Sequence, residues 1–164
     1  MLGDTGRVRR VVVLGRGGAG KTTLSVRLGR VTGIPVVELD AHFWSADLLP
    51  LNRDRWVAVQ GELAAANDWI MDGDLGPYDV LAPRLARADT VLLLDFALLR
   101  CVWNAARRSH ERVDFWWWVL TWRVRHRRRL LREIRRHAPA ADLVVLRSPR
   151  AAAAYLDRAG HRSS

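Results

Sequence analysis

An α/β fold, with helices on both faces of a five-stranded parallel sheet, is what this sequence predicts, and three observations predict it. Short β-branched apolar runs alternate with segments of helical periodicity, as where Val11-Val12-Val13-Leu14 is followed by Leu24, Leu28 and Val31. The runs are continuously apolar rather than alternating, which is how strands buried on both faces read. Three runs close on aspartate, at Asp40, Asp72 and Asp95, and ligands of open parallel sheets collect at the carboxyl ends of the strands.

Taken in order, Val11 to Leu14 is the first strand and Lys21 opens a helix that Gly33 and Pro35 stop. Val36-Val37-Glu38-Leu39 is the second strand, ending at Asp40. Asn52 or Asp54 caps a helix running to about Ala66, with Trp56, Val59 and Leu63 along one face. Trp69-Ile70-Met71 is the third strand, ending in Asp72-Gly73, and Val80 to Ala86 has room only for a short helix. Thr90 to Leu94 is the fourth strand, Ala97 to about His110 a helix, and Phe115 to His137 a longer one. Leu143 to Leu146 is the fifth strand, and Ser148 or Pro149 starts a last helix through about Ala159.

The 164 residues suit one domain spanning 1–164, large enough to bury a core without staples. Cys101 is the single cysteine, so no intrachain disulfide and no thiolate zinc site can form. No apolar h-region follows the N-terminus, and the aromatic run Phe115 to Trp122 is too short to span a bilayer. A soluble, cytoplasmic protein is expected. The net charge of +10, from 27 basic and 17 acidic side chains, makes polyanion binding conceivable without saying which polyanion.

Between the first strand and its helix lies Gly15-Arg16-Gly17-Gly18-Ala19-Gly20-Lys21-Thr22. This spacing builds a tight loop whose backbone amides converge at a helix N-terminus, a cradle for phosphate. It predicts a nucleoside-triphosphate site in which Gly15, Gly17, Gly18, Ala19, Gly20, Lys21, Thr22 and Thr23 hold ATP. Lys21 reaches the terminal phosphates, and the Thr22 hydroxyl ligands Mg2+.

One strand-end acid should complete the magnesium shell. Leu92-Leu93-Leu94-Asp95 has the better sequence pattern, whereas a strand order of 2-3-1-4-5 favours Asp72 by setting the third strand beside the glycine loop; both stay open. Asp40, farther along the sheet, is the candidate to deprotonate an attacking hydroxyl. Its bland alternative is a helix cap. His42 and Trp44 lie just beyond it, where an acceptor would sit.

Arginine suits charge that builds on a transferring phosphate, because its planar fork is bidentate and permanently charged. Arg107 and Arg108 are the favoured catalytic pair, with Arg100 also on that helix. Arg123, Arg125, Arg127, Arg128, Arg129, Arg132, Arg135 and Arg136 read mainly as a solvated face. Phe115, Trp118, Val119 and Trp122 recur at helical spacing, so packing against the body or a partner subunit outweighs base stacking; a homodimer is conceivable.

With these residues located, the chain resembles the small adenylate-kinase-like P-loop proteins of the DNA topology modulation (FlaR-type) family, from about Arg10 to Ala159. The resemblance is carried by the glycine loop, Gly33-Ile34-Pro35 leading to Leu39-Asp40 and Trp44, and Trp69-Ile70-Met71-Asp72-Gly73. It continues in Leu85-Ala86-Arg87-Ala88-Asp89-Thr90-Val91, Arg100-Cys101-Val102-Trp103, and Leu146-Arg147-Ser148-Pro149-Arg150. It implies a three-layer nucleoside-kinase fold, ATP and Mg2+ as ligands, kinase activity on an undefined acceptor, and Arg147 and Pro149 bordering the adenine. Asn104 departs from the family's usual arginine, and Ser109 to Asp114 is short for a lid.

The expected function is therefore an ATP-dependent phosphotransferase acting on a nucleotide or small metabolite. The alternative is a nucleotide-binding regulator with slow ATPase activity that binds nucleic acid through its arginine-rich helix, although no base-reading motif is present.

Overall fold

The structure is a computed structural model, and it describes residues 8–16, 18–44, 49–96 and 126–163. β1 (Arg10–Gly15) leads through the glycine loop into α1 (Lys21–Thr32), and β2 (Val36–Glu38) into a short α2 (Leu39–Phe43). α3 (Arg53–Ala64), β3 (Trp69–Asp72), a single 3-10 turn at Gly76–Tyr78, α4 (Ala82–Leu85) and β4 (Thr90–Leu94) follow. The described chain closes with α5 (Arg127–His137), β5 (Asp142–Leu146) and α6 (Pro149–Ser163). All four strand pairings are parallel and the order is β2-β3-β1-β4-β5, as expected.

Side-chain alternation divides the core into two layers. Val11 and Val13 of β1 pack with Ile70, Leu92 and Leu94 against Leu24 and Leu28 of α1 and Tyr155 and Leu156 of α6. Val12 and Leu14 face the other way, with Met71, Val91 and Leu93, against Trp56 of α3, Leu85 of α4 and Leu130 and Ile134 of α5. Trp56 and Trp69 are buried almost completely, and each such apolar side chain contributes roughly 1.5–3 kcal/mol through removal from water.

Several element ends differ from expectation for local reasons. Leu39 and Asp40 do not extend β2; they form the first turn of α2, because the strand releases its partner β3 at the pair Glu38 and Asp72. Asn52, not Asp54, caps α3, its Oδ1 accepting the Arg55 amide at 2.9 Å, and the helix stops at Ala64, short of Ala66. Asp72 belongs to β3 itself. The short helix occupies Ala82–Leu85, less than the 80–86 window, since Gly76-Pro77-Tyr78 takes up the preceding chain. Ser148 caps α6, its Oγ accepting the Ala151 amide at 3.2 Å, and the helix runs past Ala159 to Ser163. The helix expected from Ala97, the first part of the Phe115 to His137 helix, and all of Trp116, Trp117, Trp118 and Trp122 lie outside the described residues. No helix among the described residues is long and apolar enough to cross a membrane.

Candidate functional site

β1 delivers the glycine loop to the carboxyl edge of the sheet. Gly20 precedes α1 with φ of +84°, a left-handed conformation that turns the chain sharply onto the helix and that a side chain would strain. Lys21, the first residue of α1, folds back so that its Nζ donates to the carbonyls of Gly15 at 3.1 Å and Arg16 at 3.4 Å. Among the described residues the ammonium thus donates its hydrogen bonds to the loop's neutral carbonyls. Thr22 and Thr23 are exposed in the first turn, Ala19 is buried and Gly18 is half-buried; Gly17 lies outside the described residues. Arg16 is buried within the loop to 1% exposure, an environment its sequence context did not suggest.

The sheet's alternation separates the two aspartates that the sequence left in competition. Asp72 is level with Val13 of β1 and with Glu38 of β2, so it shares Val13's face, the one covered by α1. Thr22, at the start of α1, is accordingly close enough to the Asp72 carboxylate to favour its charged form. Asp72 is 5% exposed, and its Oδ1 is buried without a hydrogen-bond partner. Burial raises its pKa most; the Thr22 hydroxyl and Lys21 charge oppose this, while Asp40 and Glu38 push it further up.

Asp95 follows Leu94, which lies on the α1 face, so one residue further the side chain turns to the opposite face. There Arg127, at the start of α5, donates its Nε to Asp95 Oδ2 at 3.0 Å. Asp72 lies with Thr22 on the α1 face, whereas the Asp95 side chain meets Arg127 on the other.

Asp40 stands in the first turn of α2 and retains solvent access. Its carboxyl is shifted upward, by partial burial first and then by the like charges of Asp79, Glu38 and Asp74, with Lys21 acting against them. These couplings place Lys21, Glu38, Asp40, Asp72 and Asp74 near one another at the carboxyl edge of the sheet. His42 and Trp44 are exposed beyond Asp40, the Trp44 ring resting edge-on against Phe43, with centroids 5.1 Å apart. Arg147 is exposed just after β5, and Pro149 opens α6. Arg107 and Arg108 lie outside the described residues. On α5, Arg128, Arg129, Arg132, Arg135 and Arg136 are exposed while Leu130 and Ile134 face the core, so this part of the arginine run is the solvated face expected.

Sequence reasoning passed over a buried cluster behind these acids. The Arg84 guanidinium donates to Asp79 twice, Nη1 to Oδ1 at 3.0 Å and Nη2 to Oδ2 at 2.6 Å, and Nη1 also donates to Gln60 Oε1. Burial presses the Asp79 carboxyl upward, but the charge and hydrogen bonds of Arg84, the Leu75 amide and the Trp56 indole outweigh it and hold the pKa below the ordinary value. A polar pair in an apolar setting has no periodic signature, so nothing in the sequence singles out Asp79 and Arg84. Glu38 was missed for a similar reason: only the cross-strand register sets it beside Asp72.

No family model matches the chain, and no curated protein matches its sequence. Solved structures do match. The chain is similar to a sugar kinase from Janibacter sp. HTCC2649, at 21% identity over 93% of this chain and 92% of that one, with a TM-score of 0.58. It is similar to a gluconokinase from Sinorhizobium meliloti 1021, at 20% identity over 95% of each chain, with a TM-score of 0.56. A shikimate kinase from Acinetobacter baumannii, solved with shikimate, matches at 16% identity over 92% of this chain and 90% of that one, with a TM-score of 0.57. The chain has the P-loop, nucleoside-kinase-like fold of these enzymes, nearly end to end.

Proposed function

We propose that this protein is an ATP-dependent phosphotransferase that moves the γ-phosphate of ATP to a hydroxyl of a small-molecule acceptor. The observation that carries the reading is the Thr22 and Asp72 pair at the mouth of the glycine loop, with one buried carboxylate oxygen of Asp72 left over. An uncompensated buried carboxylate oxygen is costly, and a divalent cation is the partner that offsets it. Mg2+ fits these residues: it needs one or two protein oxygens and takes its remaining ligands from phosphate and water. Among the described residues no three His, Cys, Asp or Glu converge as a self-sufficient metal cage. Bound there, Mg2+ would neutralise charge on the β- and γ-phosphates.

Each residue then has a task. The loop amides from Gly15 to Gly20 receive the phosphates, and Lys21 exchanges its neutral carbonyl partners for phosphate oxygens, a stronger charge-assisted bond. Asp40 accepts the proton of the acceptor hydroxyl as the new O–P bond forms and the bond from the γ-phosphorus to the bridging oxygen breaks, releasing ADP. Its raised pKa makes it a better proton acceptor than an ordinary aspartate. Arg107 and Arg108 are proposed to neutralise the transferring phosphoryl group, and Arg147 and Pro149 to border the base. Sugar, gluconate and shikimate kinases share this fold, which supports a small metabolite as acceptor. At a finer level we read the chain as a relative of the DNA topology modulation proteins, on the motifs from Gly33 to Asp40 and from Trp69 to Gly73.

ADP release measured across a panel of sugars, sugar acids and nucleoside monophosphates tests the reading. At least one acceptor should stimulate turnover. Asp40→Asn should reduce that turnover by about 100-fold or more while leaving nucleotide affinity unchanged. A mutant with undiminished turnover would remove Asp40 from the mechanism. A wild-type protein that no acceptor stimulates, and that binds DNA tightly with a steep loss on adding salt, would favour the regulator instead.

A further inference from the structure

The chain from Asp72 to Leu75 carries the Asp72 carboxylate to the glycine loop and the Asp74 carboxylate, fully buried, to His126 Nε2 at 3.0 Å, and its backbone is gripped from behind. Arg84 is fully buried, and besides gripping Asp79 its Nη2 donates to the carbonyl of Gly73 at 3.3 Å. The Asp79 oxygen that accepts from this same Nη2 reaches the other side of the loop, Oδ2 also accepting the Leu75 amide at 3.3 Å. One ion pair therefore holds the backbone on both flanks of Asp74. Further donors immobilise the pair: Trp56 Nε1 to Asp79 Oδ1 at 3.4 Å, with Gln60 in turn anchored through Nε2 to the Val80 carbonyl at 2.9 Å.

Gly73 has little freedom of its own to set this path. Its φ of +152° is one that side-chain-bearing residues rarely adopt, and a Cβ there would stand 2.9 Å from the Cβ of Leu39. The loop is pinched between α2 in front and the Arg84 guanidinium behind, directly after Asp72. Charged groups buried in this way are expensive to desolvate, and a core of the same shape could be filled with apolar side chains. What the ion pair supplies is two fixed hydrogen-bonding ends.

We propose that Arg84, acting through Asp79 and the Gly73 carbonyl, is the positioning residue that aims Asp72 at the metal. It touches neither nucleotide nor acceptor. This inference rests on the reading of Asp72 as a magnesium partner, so its test separates the two. Affinity for ATP is measured by calorimetry with Mg2+ and again with EDTA, for the wild type and Arg84→Lys, alongside thermal melting. Lysine keeps the positive charge but loses the fork.

The expected result is an unchanged affinity for metal-free ATP and loss of about tenfold or more of the gain that Mg2+ confers, in a variant that still melts cooperatively. An Arg84→Lys protein that keeps the full magnesium gain overturns the positioning role and leaves the kinase reading intact. Wild-type protein that binds ATP but gains nothing from Mg2+ overturns the assignment of Asp72, and Arg84's role with it. Should Arg84→Lys fail to fold, Gln60→Met, which removes one guanidinium partner and keeps the charge pair, is measured in the same way. It should lose part of the magnesium gain, and retention of all of it would overturn the proposal.

Discussion

At the scale of single residues, Asp72 shows how a site trades stability for chemistry. A carboxylate with 5% exposure and one unpartnered oxygen destabilises its own charged form, and burial is the largest cause of its raised pKa. An amide of the same shape carries no such charge. Asp72→Asn should therefore raise the thermal midpoint by about 2–4 °C, equivalent to roughly 1 kcal/mol in a chain of this size. The same variant should lose the magnesium-dependent part of nucleotide binding. A lowered midpoint in differential scanning calorimetry would mean that the carboxylate is compensated within the apo protein. Lys21 is the counterpart: its ammonium rests on two neutral carbonyls, partners that phosphate readily displaces.

At the scale of elements, α1 is set against the sheet through a glycine. An added Cβ at Gly29 would meet Val36 Cγ2 at 2.7 Å and the Ile34 carbonyl at 3.0 Å, both belonging to the chain that returns from α1 into β2. Helix propensity alone would favour alanine there by about 1 kcal/mol. The close approach opposes it, since overpacking of this kind costs about 1–3 kcal/mol. Gly29→Ala should thus be net destabilising or at best neutral in urea unfolding, and a gain of about 1 kcal/mol would show that β2 shifts freely. The shift would be felt in function, because β2 carries Glu38 and leads to Asp40.

At the scale of the whole molecule, the acids divide into two groups that respond oppositely to pH. Asp40 and Asp72 have pKa values raised by folding, so the stability linked to them is fully present below the unfolded value, near 3.9, and is lost as pH rises through their folded values. Asp79 is the reverse: its contribution is present above the unfolded value and is lost as pH falls through its lowered folded value. Acidification should therefore extinguish turnover, as Asp40 takes up its proton, before it removes the support of Asp79. A folded but inactive interval is expected on the acid side, visible as loss of ADP release with near-UV circular dichroism intact. Coincident loss of both signals would contradict it. Asp79→Asn, which leaves the buried Arg84 charge without its partner, should destabilise the fold by about 3–5 kcal/mol at neutral pH.

Strand–helix alternation and the glycine loop were legible in the sequence because each depends on local pattern: continuous apolar runs, glycine spacing and a lysine at a helix start; the sheet order, entertained there as 2-3-1-4-5, is a tertiary property that the fold bears out. Asp40, Asp72 and Asp95 were equally visible as strand-end acids, but their division of labour was not. Side chains alternate between faces with each residue, so one position decides whether an acid meets Thr22, as Asp72 does, or Arg127, as Asp95 does. The buried grip of Arg84 and Asp79 on the chain behind Asp72 was likewise decided only in three dimensions. Its partners come from α3, α4 and the turn after β3, and no period in the chain connects residues that meet only when the helices pack.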